Sequence, residues 1–166
     1  MKLMITTNRL IIKTWSEEMA PDFFHLSHDE GFIRFPITDY RQASVESARL
    51  WIQKTEGKYA VLTRENSELI GMGGLMPWVF ENENLTDITY RLRNSAQGRG
   101  LGTELATALV DYGFNKLGLR QMTATITPDN IPSKKIAEKL GMKFDRRIEL
   151  LGVPTDLYRL FGLTTG

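Results

Sequence analysis

Apolar positions along this chain follow two periods, and the changes between them mark out its elements. Residues 9–13 read as a first strand. Asp87-Ile88-Thr89-Tyr90-Arg91-Leu92-Arg93 alternates polar and apolar residues, the period of a half-buried strand. Residues 103–117 carry Leu105, Ala108, Leu109, Tyr112 and Leu117 at helical spacing. Ser16 predicts a helix start, with Glu17 and Glu18 near the positive end of its dipole, and Ser44 predicts a second helix running to about Glu56. Between them Gly31, Phe32, Ile33, Arg34, Phe35 and Pro36 form a loop with an apolar cluster. Residues 58–64 and 68–76 predict a hairpin around Glu65-Asn66-Ser67. Gly71, Gly73 and Gly74 weaken its second strand and point to a bulge or a close backbone approach. Glu81-Asn82-Glu83-Asn84 is a polar turn leading into the central strand. A strand over 120–126, a helix over 133–140 and two strands around Gly152-Val153-Pro154 complete the chain.

Between the central strand and the helix after it lies Gln97-Gly98-Arg99-Gly100-Leu101-Gly102-Thr103. A strand, a glycine-rich loop and a helix N-terminus make an anion site, because glycine lets the backbone approach a ligand and first-turn N–H groups attract phosphate oxygens. No Gly-Lys-Ser/Thr ends the loop, so the P-loop pattern fails. The Gly-x-Gly-x-Gly spacing past mid-chain does not fit a dinucleotide fingerprint either. A diphosphate site and a tight connection that needs glycine for shape alone both stand on the loop by itself.

Composition narrows the classes. At 166 residues, 42% hydrophobic and 25% charged, the sequence reads as one ordinary domain over 1–166. A net charge of +1 gives no general case for nucleic acid or a membrane surface. No cysteine is present, which excludes disulfides, thiolate metal ligands and a cysteine nucleophile. The start lacks a long apolar core and no run approaches transmembrane length, so a cytoplasmic location is expected. His25 and His28 fall three apart in the first expected helix and could share a face, but solvent-exposed helix histidines are the commoner case, and no metal is expected.

Gln97-x-x-Gly100-x-Gly102, then Asn130-x-x-Ser133, then Glu138-Lys139-Leu140-Gly141-Met142 recur here in the order and spacing of a known family. With the opening Thr7-Asn8-Arg9-Leu10-Ile11-Ile12-Lys13, the chain resembles the GCN5-related N-acetyltransferases. Within them it is most similar to the branch acetylating ribosomal-protein N-termini and similar amines. The resemblance covers nearly the whole chain. It implies an α/β (α+β) fold: a mixed, mostly antiparallel twisted sheet of about six to seven strands, splayed at the central strand and flanked by about four helices. It also implies acetyl transfer from acetyl-CoA to a primary amine, with no covalent enzyme intermediate and no metal. A noncatalytic acyl-CoA-binding module on the same fold is the alternative. A small-molecule or peptide amine is the expected partner, and the chain is expected to be a monomer or homodimer.

The resemblance assigns residues as well. Backbone groups of Gln97, Gly98, Arg99, Gly100, Leu101, Gly102 and Thr103 would hold the cofactor's pyrophosphate. Freed backbone groups of Leu92, Arg93 and Asn94, at the end of the central strand, would bond the pantetheine, with an N–H near Leu92 polarising the thioester. Asp87 stands where the family often has glutamate and would act as base through a water; a strand-entry residue on a solvated face is the other reading. Many members carry a tyrosine acid at the position of Ala137, which cannot protonate anything. The acid role then falls to Ser133, as in the amine-terminal branch, while Asn130 orders the turn and bonds the pantetheine arm. Lys134 and Lys135 are either phosphate contacts or a solvated face. Trp15, Trp51, Trp78 and Phe80 are either core or an acceptor platform, and Asp29, Glu30, Glu81 and Glu83 offer charge to a cationic acceptor.

Overall fold

Among the described residues the alternating stretches form eight strands in one mixed sheet, ordered β1-β2-β3-β4-β5-β6-β8-β7, with five α-helices between them. This computed structural model describes residues 2–35 and 38–163; Pro36, counted above with the apolar loop, lies outside the described residues. The chain divides into two compact units, Met1–Gly74 with Tyr90–Leu105, and Leu75–Thr89 with Ala106–Gly166.

The first unit contains β1 (Met4–Thr6), β2 (Leu10–Lys13) and β3 (Lys58–Thr63), with the start of β4 (Leu69–Phe80) and the end of β5 (Glu83–Leu92). β1 to β4 are antiparallel neighbours. Val61 faces Gly71 but Leu62 faces Leu69, so Ile70 is the extra residue of a bulge, as the glycines suggested. A Cβ on Gly71 would stand 2.2 Å from the Arg91 carbonyl oxygen, so only glycine fits. The helices are α1 (Ala20–Leu26), α2 (Glu30–Ile33) and α3 (Val45–Lys54). α3 opens on a Ser44–Ser47 capping box, as expected of Ser44. Trp15, Phe23, Phe32, Tyr40, Ile52 and Met72 belong to the core of this unit. Trp51 packs on that core with its ring 4.6 Å from Phe23, so Trp15 and Trp51 are packing residues.

The second unit holds β6 (Gln121–Ile126), β7 (Lys143–Leu150), β8 (Val153–Phe161), α5 (Ile131–Lys139) and the later part of α4 (Leu101–Asn115). β5 and β6 pair in parallel with Asp87 opposite Thr123, while β6 with β8 and β7 with β8 are antiparallel. Leu151 and Gly152, both with positive φ (51° and 79°), turn the β7–β8 hairpin.

The structure departs from the expected boundaries in ways local chemistry explains. The sheet has eight strands and the helices number five, because a three-residue strand and a single-turn helix are too short to show a period. Ser16 caps nothing: its hydroxyl donates to Glu18, a 3₁₀ turn follows, and α1 starts at Ala20 with Pro21 in its first turn. His28 therefore lies beyond α1. The polar turn contracts to Glu81 and Asn82 (φ 48° and 65°), and β5 begins at Glu83, whose carboxylate accepts from Arg159 and Gln121. α4 and α5 each start two residues earlier than expected, at Leu101 and Ile131.

Candidate active site

The loop after β5 is built for backbone exposure. Gly98 (φ +75°) has open space where a Cβ would stand, and Gly100 (φ +78°) has only an Arg9 guanidinium nitrogen, at 3.4 Å. Residues 97–100 are exposed, and the chain then enters the fifteen-residue α4, whose first-turn N–H groups lack intrahelical acceptors. Glu104 in that turn accepts from the Thr7 hydroxyl and from the Arg9 N–H and Nε (2.7 and 2.8 Å), while Arg9 donates to the Arg99 carbonyl at 2.8 Å. These bonds fix the loop to the segment before β2. The residues are ninety or more apart, and no local pattern announced them. Thr103 lies in the first turn, two residues after the helix start.

The strand end differs from expectation. The Arg93 N–H donates to the Ile70 carbonyl at 2.7 Å, and the Asn94 N–H donates to Asp29 Oδ1 at 2.7 Å. The Leu92 carbonyl accepts from Gln97 Nε2 at 3.0 Å, and the Arg93 and Asn94 carbonyls accept from Ala96 and Gln97. A 3₁₀ turn at Asn94–Ala96 folds the chain back and consumes these groups, so Arg93 and Asn94 are not freed for a pantetheine arm. Asp29 likewise caps α2, accepting from Phe32 N–H, and is spent on structure.

Asp87 sits mid-strand in β5, not at its entry, and not on a solvated face. Its carboxylate accepts from the Thr123 hydroxyl at 2.8 Å and the Thr125 hydroxyl at 3.0 Å. Thr123 is fully buried and in turn accepts from the Trp78 indole N–H at 3.0 Å. Trp78, half-buried, stacks on Phe80 with centroids 5.5 Å apart. Burial pushes the Asp87 carboxyl up to about 7, outweighing the two hydroxyls and a backbone bond from Thr125 that favour the charged form. A carboxyl poised there is half ionised near neutral pH, the condition a general base needs. The sequence signal for Thr123 and Thr125 was their alternation on one face of a strand otherwise buried. Thr123→Val leaves the Trp78 N–H without its acceptor and removes one donor from Asp87. We expect a loss of about 1–3 kcal/mol in denaturant unfolding, with the Asp87 inflection in any pH profile moved upward.

Asn130 caps α5, its side chain accepting from the Ser133 N–H at 3.2 Å. The Ser133 side chain is half-buried and its hydroxyl has no partner among the described residues. Lys134 pairs with the buried Asp156 at 2.9 Å, which also accepts from Arg147 at 2.8 Å, so Lys134 is a structural contact; Lys135 is exposed. Arg99 is exposed. Ala137, 1% exposed, is core. Glu81 and Glu83 pair with Arg146 and Arg159. His28 bonds the Gln42 carbonyl, and among the described residues no group of three or more metal-ligating side chains occurs. Nor is any described helix long and apolar enough to cross a membrane.

An acetyltransferase (GNAT) domain model matches residues 9–143, and the chain belongs to this acetyltransferase family. Among curated proteins of Bacillus subtilis it is 33% identical over 113 residues to the uncharacterized protein YkkB, an alignment spanning 65% of this chain and 66% of that one. It is 27% identical to the uncharacterized N-acetyltransferase YnaD over 84% of this chain and 82% of that one. The fold is shared with the ribosomal L7/L12 alpha-N-protein acetyltransferase RimL, solved with coenzyme A. There the TM-score is 0.78 at 18% identity, covering 96% of this chain and 98% of that one.

The residues present fit a coenzyme A thioester. The glycines at 98 and 100 leave open space beside the backbone through which a phosphate can approach.

Proposed function

We propose that this chain is an acetyl-CoA-dependent N-acetyltransferase that passes its acetyl group directly to a primary amine, on a protein N-terminus or a small molecule. The observation that carries the catalytic reading is the Asp87 carboxyl, raised to about 7 and held by Thr123 and Thr125. A binding module has no use for a carboxyl kept at this cost. Acetyl-CoA, when bound, supplies the activated acetyl group and a thiolate leaving group. The N–H groups of Gly98, Arg99 and Gly100 and of the first turn of α4 would hold its pyrophosphate, the Gln97 N–H being spent on the Asn94 carbonyl, and the Leu92 N–H would polarise the thioester oxygen. Asp87 accepts the amine's proton through a water, since an alkyl ammonium is mostly protonated at neutral pH. The Ser133 hydroxyl donates toward the departing sulfur, in the role that Ala137 cannot fill. Asn130 serves this site by setting the turn before α5. Positioning and electrostatics provide the acceleration, with no enzyme nucleophile. We further take the protein to act in the cytoplasm as a monomer or homodimer.

Release of free thiol from acetyl-CoA against a panel of amines tests this. The sequence has no cysteine, so the enzyme gives no thiol background. Amine-dependent release is expected. Tight acetyl-CoA binding with no release across peptides and small amines would leave the noncatalytic module.

A further inference from the structure

The first unit holds two cations against one ring. Arg91 in β5 places its guanidinium carbon 4.9 Å from the centre of the Tyr40 ring, and Lys58 at the start of β3 places its ammonium 5.6 Å from the same centre. Tyr40 is 7% exposed and both cations are half-buried. Arg91 donates to the carbonyls of Phe32 and Phe35 at 3.1 and 3.2 Å. Those bonds fix the guanidinium in place but bring no negative charge. Among the described residues, neither Arg91 nor Lys58 is in any ion pair. Burial first, and then the charge of Arg91, hold the Lys58 ammonium below its ordinary range. Two like charges taken partly out of water without a counterion are costly, and the ring's negative face offsets only part of that.

Three of the four carboxylates that the sequence offered to a cationic acceptor are spent elsewhere, and the fourth, Glu30, is exposed. Asp29 caps α2 and bonds Asn94, Glu81 pairs with Arg146, and Glu83 pairs with Arg159. The charge left uncompensated at Tyr40 is positive. Arg91 also directly precedes Leu92, the residue assigned above to the thioester. A guanidinium has five N–H donors, more than two carbonyl bonds use, in a fork that matches a carboxylate or phosphate.

We propose that Arg91 and Lys58 form an anion-binding subsite for the acceptor, so that the amine substrate carries a carboxylate or phosphate group which this pair holds. The inference rests on the acetyl-transfer reading and deepens it: the substrate class is an amine with an anionic group rather than a polycation.

The test titrates inorganic phosphate at constant ionic strength into CoA-saturated wild type, Lys58→Met and Arg91→Met, with CoA affinity measured on the same samples. Saturable binding by wild type is expected, about tenfold or more weaker in both variants, with CoA affinity unchanged. Arg91→Met also loses two carbonyl bonds; if it fails to fold, Lys58→Met, which keeps them, decides. No saturable phosphate binding by wild type, or equal affinity in Lys58→Met, overturns the subsite. Phosphate binding that CoA abolishes assigns the pair to the cofactor and overturns the acceptor role. If wild type does not bind CoA, the acetyl-transfer reading fails, and the difference between wild type and Lys58→Met still decides whether the pair holds anions.

Discussion

Gly100→Glu is expected to abolish acetyl-CoA binding while leaving a folded protein. The position has φ +78°, its Cβ would meet only an Arg9 nitrogen at 3.4 Å, and it adjoins the first turn of α4. A side chain there is strained by about 1 kcal/mol or more, a cost that a domain of this size can absorb. On binding, however, the glutamate sets bulk and a negative charge where a diphosphate must approach the N–H groups. Losing that contact removes charge-assisted bonds worth about 1.5–3 kcal/mol each, so affinity falls by about 100-fold or more. Calorimetric titration of the variant, with its unfolding midpoint measured alongside, checks this. Wild-type affinity in a folded variant would remove the loop from the cofactor site.

The second large effect is at Asp87. Its carboxyl rises from 3.8 to about 7 on folding, so the native state holds the proton more tightly than the unfolded chain. Stability is then greatest below the unfolded value and is lost as pH rises through about 7, by at most about 4 kcal/mol. Asp87→Asn abolishes this slope and is more stable than wild type above neutral pH. Its activity moves the other way. Loss of a general base lowers kcat/KM by about 10²–10⁴, and the inflection near 7 disappears. The residual rate instead climbs with pH through the amine's own titration. An inflection near 7 that survives in Asp87→Asn assigns it to another group. A stabilised variant with full activity would make Asp87 a half-buried carboxyl without a catalytic part.

What was legible in the sequence was local. The 97–103 loop shows itself through glycines between an alternating strand and a helical period, and Ser44 shows itself as a cap within four residues. The bulge at Ile70 was visible in the glycines beside it. Asp87 drew attention by its place in the central strand, where the family often has glutamate, but its environment was not legible, because Thr123 and Thr125 reach it across a parallel pair some 36–38 residues on. Arg9 and Glu104 are as remote from each other as the chain's ends from its middle, and either alone looks like a solvated charge. The strand end was misjudged for the same reason. Whether Arg93 and Asn94 present free N–H groups depends on Ile70 and Asp29, which no local window contains. Lys134 read equally as a phosphate contact or a solvated charge, and neither reading showed Asp156, which the fold brings to it.

The central claim is that this chain takes acetyl-CoA, and thermal unfolding with and without saturating acetyl-CoA tests it most directly, with NAD and ATP as controls. At about 100 times the dissociation constant a ligand stabilises the native state by about 2.7 kcal/mol, a rise of about 5–10 °C in midpoint for a domain of this length. A rise with acetyl-CoA and none with NAD or ATP is the predicted result. No rise with millimolar acetyl-CoA, or equal rises with all three, would contradict the account.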